Sequence, residues 1–339
     1  MTLKILVVGL GSMGKRRIRN LVKLGYRDIL GFDTQKLRRN ESSRKYKIKT
    51  VKNIDDALKC NPKVMIISTP PDLHLKYANL AINNNIDFFM ELNHSSSHVK
   101  QIINKMKRRK IIAAPSCTMR YHPIVLELEK LLNKKKIGKI LQIHHHNGQN
   151  LKTWHPWEDY KKFFVSKKET GGAKELVPFE LNWLIYLFSR IESVSANVEK
   201  ISDLDVDIDD IYQIYAKFKN GISANLIFDV VSNPSFRETK LIGSKGVILC
   251  DFKEGVIQIN TGKKWSVKKL EMDRIALYYM GNTPPESVYE KEIKNFLLAV
   301  KHKQKYPFSL DQDLQILQVL DAIELSSKKG KKIIINEKN

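Results

Sequence analysis

The sequence predicts an α/β amino-terminal domain built on a doubly wound parallel sheet, followed by an α+β carboxyl-terminal domain with an open, mostly antiparallel sheet. Three observations predict it. Short apolar runs alternate with helical segments up to about residue 118. A glycine-rich turn joins the first apolar run to the first helix. Beyond it the pattern changes to consecutive strands separated by turns such as Asn220-Gly221 and Ser244-Lys245-Gly246, closed by two long amphipathic helices.

The first run, Ile5–Val8, has the length and β-branching of a buried parallel strand, and Lys15–Leu24 reads as the helix that follows it. Between them stands Gly9-Leu-Gly11-Ser12-Met13-Gly14, a G-x-G-x-x-G turn in strand-to-helix context. Gly9 allows the tight turn. Gly11, with Ser12 and Met13, brings backbone amides and a helix N-terminus towards a pyrophosphate, and Gly14 lets the helix pack on the strand. This is the Rossmann arrangement for a dinucleotide. The second strand, Ile29–Phe32, ends in Asp33, where an acid bonds the adenosine ribose hydroxyls and favours NAD. Lys36, Arg38 and Arg39 follow and can hold a 2′-phosphate, which keeps NADP open as an alternative.

A short helix near Asp55–Lys59 precedes a third strand, Val64–Ser68, which Thr69-Pro70-Pro71 stops. Asp72–Asn83 reads as a helix and Ile86–Met90 as a fourth strand ending at Glu91. Ser95 or Ser96 can cap a helix through Arg109, and Ile111–Ala114 is a fifth strand ending at Pro115. Ligands of such sheets bind beyond the carboxyl ends of the strands, so Ser68, Thr69, Pro70, His74 and Glu91 join the cofactor set. The dinucleotide domain is placed at residues 1–118 and a substrate-binding and oligomerisation domain at 119–339. In the latter, a helix over Ile124–Asn133 precedes strands at Ile140–His146, Val194–Val198, Ile211–Phe218, Ser223–Val231, Thr239–Gly243, Gly246–Cys250 and Val256–Asn260. Helices at Glu286–Lys301 and Asp311–Ser327 complete it.

Composition narrows the function classes. A chain of 339 residues with 42% hydrophobic content suits two domains, and no stretch approaches the roughly 20 apolar residues of a membrane span. Met1 opens straight into the first strand, and Cys60, Cys117 and Cys250 form no disulfide or metal pattern, so a cytoplasmic protein without a membrane partner is expected. The formal charge of +23 is spread over small lysine groups with no nucleic-acid motif, which argues against a nucleic-acid partner. The same charge attracts anionic small molecules such as nucleotide sugars, sugar phosphates or carboxylated sugars. His144 and His146 share a strand face but have no third ligand nearby in sequence, so no metal is expected.

The order of elements, with Gly9-Leu-Gly-Ser-Met-Gly14, Ser68-Thr-Pro-Pro-Asp-Leu-His74 and Gly171-Gly-Ala173, resembles the Gfo/Idh/MocA family of NAD(P)-dependent oxidoreductases over essentially the whole chain. Met119-Arg-Tyr-His-Pro123 and Trp154-His-Pro-Trp-Glu-Asp-Tyr160 make it most similar to members associated with surface-sugar and sialic-acid-like biosynthesis. The resemblance implies hydride transfer to or from a sugar or nucleotide-sugar secondary alcohol or ketone. It also implies a homodimer or homotetramer formed through the carboxyl-terminal sheet.

Two catalytic signatures depart from that family. Its Glu-Lys-Pro is Glu91-Leu92-Asn93 here, and leucine moves no proton. Aligned on Trp183-Leu184, the family's histidine is Phe179 and its aspartate Asn182. Lys174, Glu175 and His122 are therefore the catalytic candidates, with His155 as a further proton carrier. Arg120, Tyr121, Trp154, His155, Trp157, Tyr160 and Glu180 are the substrate-binding candidates, because aromatic bodies with polar tips suit a sugar pocket. The competing expectation is a homologue that binds the cofactor without catalysis, as a sensor or partner subunit.

Overall fold

A computed structural model describes residues 3–162, 164–273 and 282–335. Its first elements follow the chain as β1 (Ile5–Val8), α1 (Ser12–Lys23), β2 (Ile29–Phe32), α2 (Lys36–Tyr46), β3 (Lys49–Val51), α3 (Ile54–Lys59) and β4 (Val64–Ile67). They continue with α4 (His74–Asn83), β5 (Asp87–Met90), α5 (Ser96–Met106) and β6 (Ala113–Pro115). The six strands form one parallel sheet in the order β3-β2-β1-β4-β5-β6, so the chain reverses direction across the sheet between β1 and β4. Every side chain of β1, β2 and β4 is buried, as a strand covered on both faces requires. Ile18 and Leu21 of α1 and Tyr77, Ala78, Ala81 and Ile82 of α4 bury the helices' apolar stripes.

The second group begins with α6 (Pro123–Asn133), β7 (Ile140–Gly148), α7 (Leu151–Trp154), α8 (Leu176–Phe188), β8 (Ile191–Glu199), β9 (Ile211–Phe218) and β10 (Ser223–Asp229). It ends with β11 (Phe236–Gly243), β12 (Gly246–Asp251), β13 (Val256–Asn260), β14 (Ser266–Lys269), α9 (Glu286–Val300), α10 (Leu310–Lys329) and β15 (Ile333–Ile334). Nine strands pair in the order β14-β13-β12-β11-β7-β10-β9-β8-β15, antiparallel throughout except for β7 against β10. Alternation is clear along the sheet. Ile143, His145, Ala224, Leu226, Ile214 and Ala216 are buried, whereas Gln213 and Tyr215 are exposed and His144, His146 and Ile227 half-buried on the other face.

The chain divides into two compact units. One runs to Cys117 and takes back Tyr289–Gln315; the other comprises Thr118–Val288 and the chain from Ile316 onward. The expectation gave the second domain everything after residue 118, but α9 carries groups that the first sheet needs. Arg17 of α1 has a fully buried side chain and donates Nε and Nη2 to the Glu91 carboxylate at 2.6 and 2.8 Å. It also donates Nη2 to Glu292 of α9 at 2.8 Å. Glu292 accepts in turn from Ser116 Oγ and Cys117 N, and Phe296 packs on Phe89. Burial alone would lower the Arg17 pKa, yet the two carboxylates raise it. Burial, only partly opposed by Arg17, raises that of Glu292, because two acids share one guanidinium.

Several expected boundaries shift. The first helix begins at Ser12, directly after Gly11, and not at Lys15. The fifth expected strand is Ala113–Pro115 instead of Ile111–Ala114. The helix α2 and strand β3 were not anticipated, because α2 buries only Ser42 and β3 is a sheet edge with no buried residue. Ser95 is the cap that α5 uses, its Oγ accepting from His98 N at 3.3 Å.

Removing one partner of a fully buried pair leaves a charge uncompensated. Arg17→Met is expected to cost about 3–5 kcal/mol in urea unfolding of the full chain. Combining it with Glu292→Gln should recover part of that loss. Equal midpoints for Arg17→Met and the native protein would show that the buried charges contribute nothing.

Candidate functional site

Gly9 sits at φ +88° at the end of β1, where the backbone of Ser68 approaches so closely that any Cβ would lie 2.6 Å from the Ser68 carbonyl oxygen. A Cβ at Gly14 would lie 1.8 Å from the Gly9 carbonyl oxygen. Only glycine fits at both places. Together they bring β1, α1 and the turn after β4 to one point beside the β1/β4 reversal, where ligands of such sheets bind. Gly11 is the N-cap of α1, with no side-chain cap and no acid in the first turn, so the amides of Ser12 and Met13 open a helix N-terminus suited to phosphate.

Asp33, 5% exposed at the end of β2, accepts Leu10 N and Gln35 N at 2.8 Å each. Its carboxylate is thus fixed at the edge of the same crevice, with Arg38 Nη1 3.9 Å away. Arg38 Nη1 also borders Gly11, 3.7 Å from where a Cβ would stand, an ordinary van der Waals contact. Ser68 donates Oγ to Glu91 at 3.3 Å, and His74 Nε2 meets the Thr69 carbonyl oxygen at 2.9 Å. Pro70 precedes the short 3-10 turn Pro71–Leu73 that leads into α4. All the expected cofactor residues therefore converge on the carboxyl edge of one sheet. The chain's own atoms fit a dinucleotide: bare glycines, a helix N-terminus without a side-chain cap and an anchored acid.

The catalytic candidates belong to the second unit. Lys174 and Glu175 end the 3-10 turn Gly172–Glu175 that runs into α8. Lys174 Nζ pairs with Glu324 Oε1 at 2.7 Å, an acid that also accepts the Tyr212 hydroxyl at 3.2 Å. His122, by contrast, is 1% exposed, and its Nδ1 accepts from Ile124 N at 3.2 Å as the N-cap of α6. Burial first, and then the Arg237 charge, push its pKa down to about 3. Here the imidazole holds a helix end. Arg120 donates Nε to Asn182 at 2.9 Å and stacks over Tyr186, while Tyr121 is half-buried beside it.

Glu180, one of the expected substrate-binding residues, is 0% exposed and surrounded by protein groups. Asn147 Nδ2 and Trp183 Nε1 donate to it at 2.9 and 2.7 Å. Arg237 Nε at 3.1 Å and His145 Nε2 at 3.0 Å lie at ion-pair distance, although neither is aligned as a hydrogen bond. Burial pushes the Glu180 pKa up, but Arg237, His145 and Trp183 more than reverse this and hold it at about 2. The Arg237 guanidinium also lies 5.6 Å from the ring centroid of Phe179. Sequence reasoning missed Arg237; its signal was the buried alternation Arg237, Thr239, Leu241 along β11, a charge on the covered face that demands a partner.

The aromatic segment is partly assembled. His155 is 7% exposed, stacks on Trp157 with ring centroids 4.7 Å apart and meets Glu158 Oε1 through Nδ1 at 2.5 Å. Trp157 itself is exposed, and Trp154 and Tyr160 are half-buried. Such an imidazole, oriented by a carboxylate, is a suitable acid/base group.

Because the Glu180 pKa is depressed, its ionised form contributes stability that is complete above the ordinary glutamate value and vanishes as pH falls towards about 2. Glu180→Gln is expected to lose about 3–5 kcal/mol near neutrality, with the gap from the native protein closing below about pH 4. A pH-independent gap would mean that the charge on Glu180 is irrelevant to its role.

The comparisons agree with this architecture. Residues 3–115 match the model described as oxidoreductase family, NAD-binding Rossmann fold, and residues 125–249 match the GFO/IDH/MocA C-terminal domain. Glucose-6-phosphate 3-dehydrogenase of Bacillus subtilis (strain 168) is 24% identical over 241 residues, 68% of this chain and 69% of that protein. Levoglucosan dehydrogenase in complex with NADH superposes with a TM-score of 0.83 at 16% identity, covering 99% of this chain and 100% of the other. An oxidoreductase from Agrobacterium radiobacter in complex with NAD+, L-tartaric acid and magnesium reaches 0.88 at 11% identity, covering 99% of each chain. Among the described residues no helix is long and apolar enough to cross a membrane. With both of its domains matched and a glycine crevice built for NAD, the chain belongs to the Gfo/Idh/MocA family of oxidoreductases.

Proposed function

We propose that this protein is an NAD-dependent oxidoreductase that transfers a hydride to or from a ring secondary alcohol or ketone of a sugar or nucleotide sugar, using atypical acid/base residues. The observation that carries the reading is the crevice in which Gly9 and Gly14 leave no room for a side chain and Asp33 is locked at the ribose position. The named relatives support a sugar substrate: one is a glucose-6-phosphate 3-dehydrogenase and one a levoglucosan dehydrogenase. NAD supplies the hydride acceptor or donor. The chain's residues must bind the sugar and move the hydroxyl proton. We assign the proton to Lys174 with Glu175, or to His155 held by Glu158, because Leu92 and Phe179 cannot carry it. Arg120, Tyr121, Trp154, Trp157 and Tyr160 are the sugar-binding candidates, and the charge of +23 favours an anionic sugar. Free cysteines at Cys60, Cys117 and Cys250 suit a reducing cytoplasm.

One observation favours a second reading, that of a cofactor-binding sensor or partner subunit. The buried Arg237 and Glu180 pair with each other at the Phe179 turn, where chemistry would need a group free to exchange a proton.

Purified protein should contain or bind NAD(H) and change cofactor absorbance with at least one member of a panel of UDP-, GDP- and CMP-linked sugars, sugar phosphates and free aminosugars. Lys174→Ala, Glu175→Gln or His155→Ala should then reduce kcat on the order of a hundredfold. Tight NAD binding without turnover on any sugar would select the second reading.

The open face of the second sheet, carrying Tyr215 and Ile227, supports self-association as a homodimer or homotetramer. Tyr215→Arg with Ile227→Asp should yield monomers by light scattering. A native protein already monomeric at micromolar concentration would end this proposal.

A further inference from the structure

Asn93 stands where the resembled family carries proline, and its side-chain amide does what no proline can. Its Oδ1 lies 2.9 Å from His74 Nδ1, and its Nδ2 lies 2.8 Å from Asp313 Oδ2 in the first turn of α10. His74 Nε2 continues the chain to the Thr69 carbonyl oxygen at 2.9 Å. The three side chains are buried, at 1% exposure for His74, 3% for Asn93 and 2% for Asp313. All belong to the first unit. The turn they reach, Ser68 to Pro71, is the one whose backbone meets Gly9.

Proton accounting constrains the arrangement. A carbonyl oxygen only accepts, so His74 Nε2 carries a hydrogen. The two orientations of the Asn93 amide occupy the same atomic positions and are distinguished by the bonds they make. With the carbonyl towards His74, both ring nitrogens must be protonated, and the charge of the ring is balanced when Asp313 accepts from Asn93 Nδ2 as a carboxylate. With the amide reversed, Nδ1 is bare and accepts from Asn93, and Asp313 as the acid donates to the Asn93 carbonyl. Both arrangements contain the same number of protons. The first buries two full charges separated by a neutral amide; the second buries none, and desolvation favours it. Burial lowers the His74 pKa, against the bonds to Asn93 and the Thr69 carbonyl and the Glu91 charge, which act in the opposite sense. Burial pushes Asp313 up to about 7 even with Asn93 Nδ2 donating to it, and the reversed amide removes that one opposing bond.

We propose that Asn93 and Asp313 are positioning residues that act through a neutral His74 to hold the Thr69 carbonyl, and with it the Ser68–Pro71 turn, in the shape that receives the dinucleotide. Asp313 carries a proton in the binding-competent form. When it releases that proton to solvent, its oxygen faces the Asn93 carbonyl, the amide must turn, and the bond to the bare Nδ1 is lost. A side chain whose pKa is raised on folding stabilises the structure at low pH, and that contribution disappears as pH rises through about 7. The functional half of the proposal rests on the NAD reading above.

The test uses the full chain. Nitrogen-15 NMR of the histidine rings in cofactor-free protein at pH 6 should show His74 as a neutral ring with Nδ1 unprotonated; a doubly protonated ring would overturn the proposal. Calorimetric NAD affinity should fall roughly tenfold between pH 6 and pH 9 in the native protein. Asp313→Asn, an uncharged donor in the same place, should retain at pH 9 the affinity the native protein has at pH 6. Asn93→Leu should bind roughly tenfold more weakly at both pH values. If Asp313→Asn kept the native pH dependence, the arm would be wrong. Should Asn93→Leu fail to fold, the comparison of Asp313→Asn with the native protein still decides. If the native protein bound no NAD at any pH, the cofactor reading would fail, and the His74 ring state together with the pH dependence of thermal unfolding would judge the arm alone.

Discussion

Each unit of this protein is organised around charge that cannot reach water. Arg17 is fully enclosed beneath the dinucleotide crevice and is matched by Glu91 and Glu292; Arg237 is enclosed behind α8 and is matched by Glu180. A buried guanidinium tolerates little displacement of its partners, since loss of alignment leaves an uncompensated ion in a poorly polarisable interior. Much of the local geometry follows. Glu91 must sit at the end of β5, Glu292 must bring α9 onto the first sheet, and Glu180 must face inward from α8. Positions that sequence comparison marks as catalytic are therefore partly occupied by residues with structural obligations.

The glycine turn and the strands β1, β2 and β4 were legible because their signals are local. Four successive apolar residues and a glycine spacing need no knowledge of the rest of the chain. The edge strands β3 and β14 were not legible, since a strand paired on one side and exposed on the other carries little apolar pattern. The partners of Glu180 and His122 were not legible for a related reason. A polar residue near a motif reads as a ligand contact until its partners are known, and those of Glu180 lie on β7, β11 and α8. Asp313 had no sequence signal at all, because its partner Asn93 is 220 residues away.

Binding and chemistry are thus encoded separately. The dinucleotide site is made mainly of backbone, and its requirements reduce to absent side chains, a helix N-terminus and one anchored carboxylate. Such a site survives wholesale change elsewhere. Proton transfer needs particular side chains at particular places, a stricter demand than the cofactor turn makes. Around α8 those side chains answer to one another: Phe179 offers its ring to Arg237, and Asn182 accepts from Arg120.

The return of Tyr289–Gln315 to the first unit has a bearing on how the molecule is made. During synthesis the sheet β1 to β6 leaves the ribosome early, but the carboxylate that completes the Arg17 cluster and the helix that covers Phe89 arrive only after nearly the whole chain has been translated. The nascent dinucleotide domain must wait with the Arg17 cluster half-built, Glu91 in place and Glu292 still to come, and with an uncovered apolar surface. The unit synthesised first is the one finished last, which gives the protein long-range contacts typical of slow folders and a stretch of synthesis in which chaperone capture is most useful.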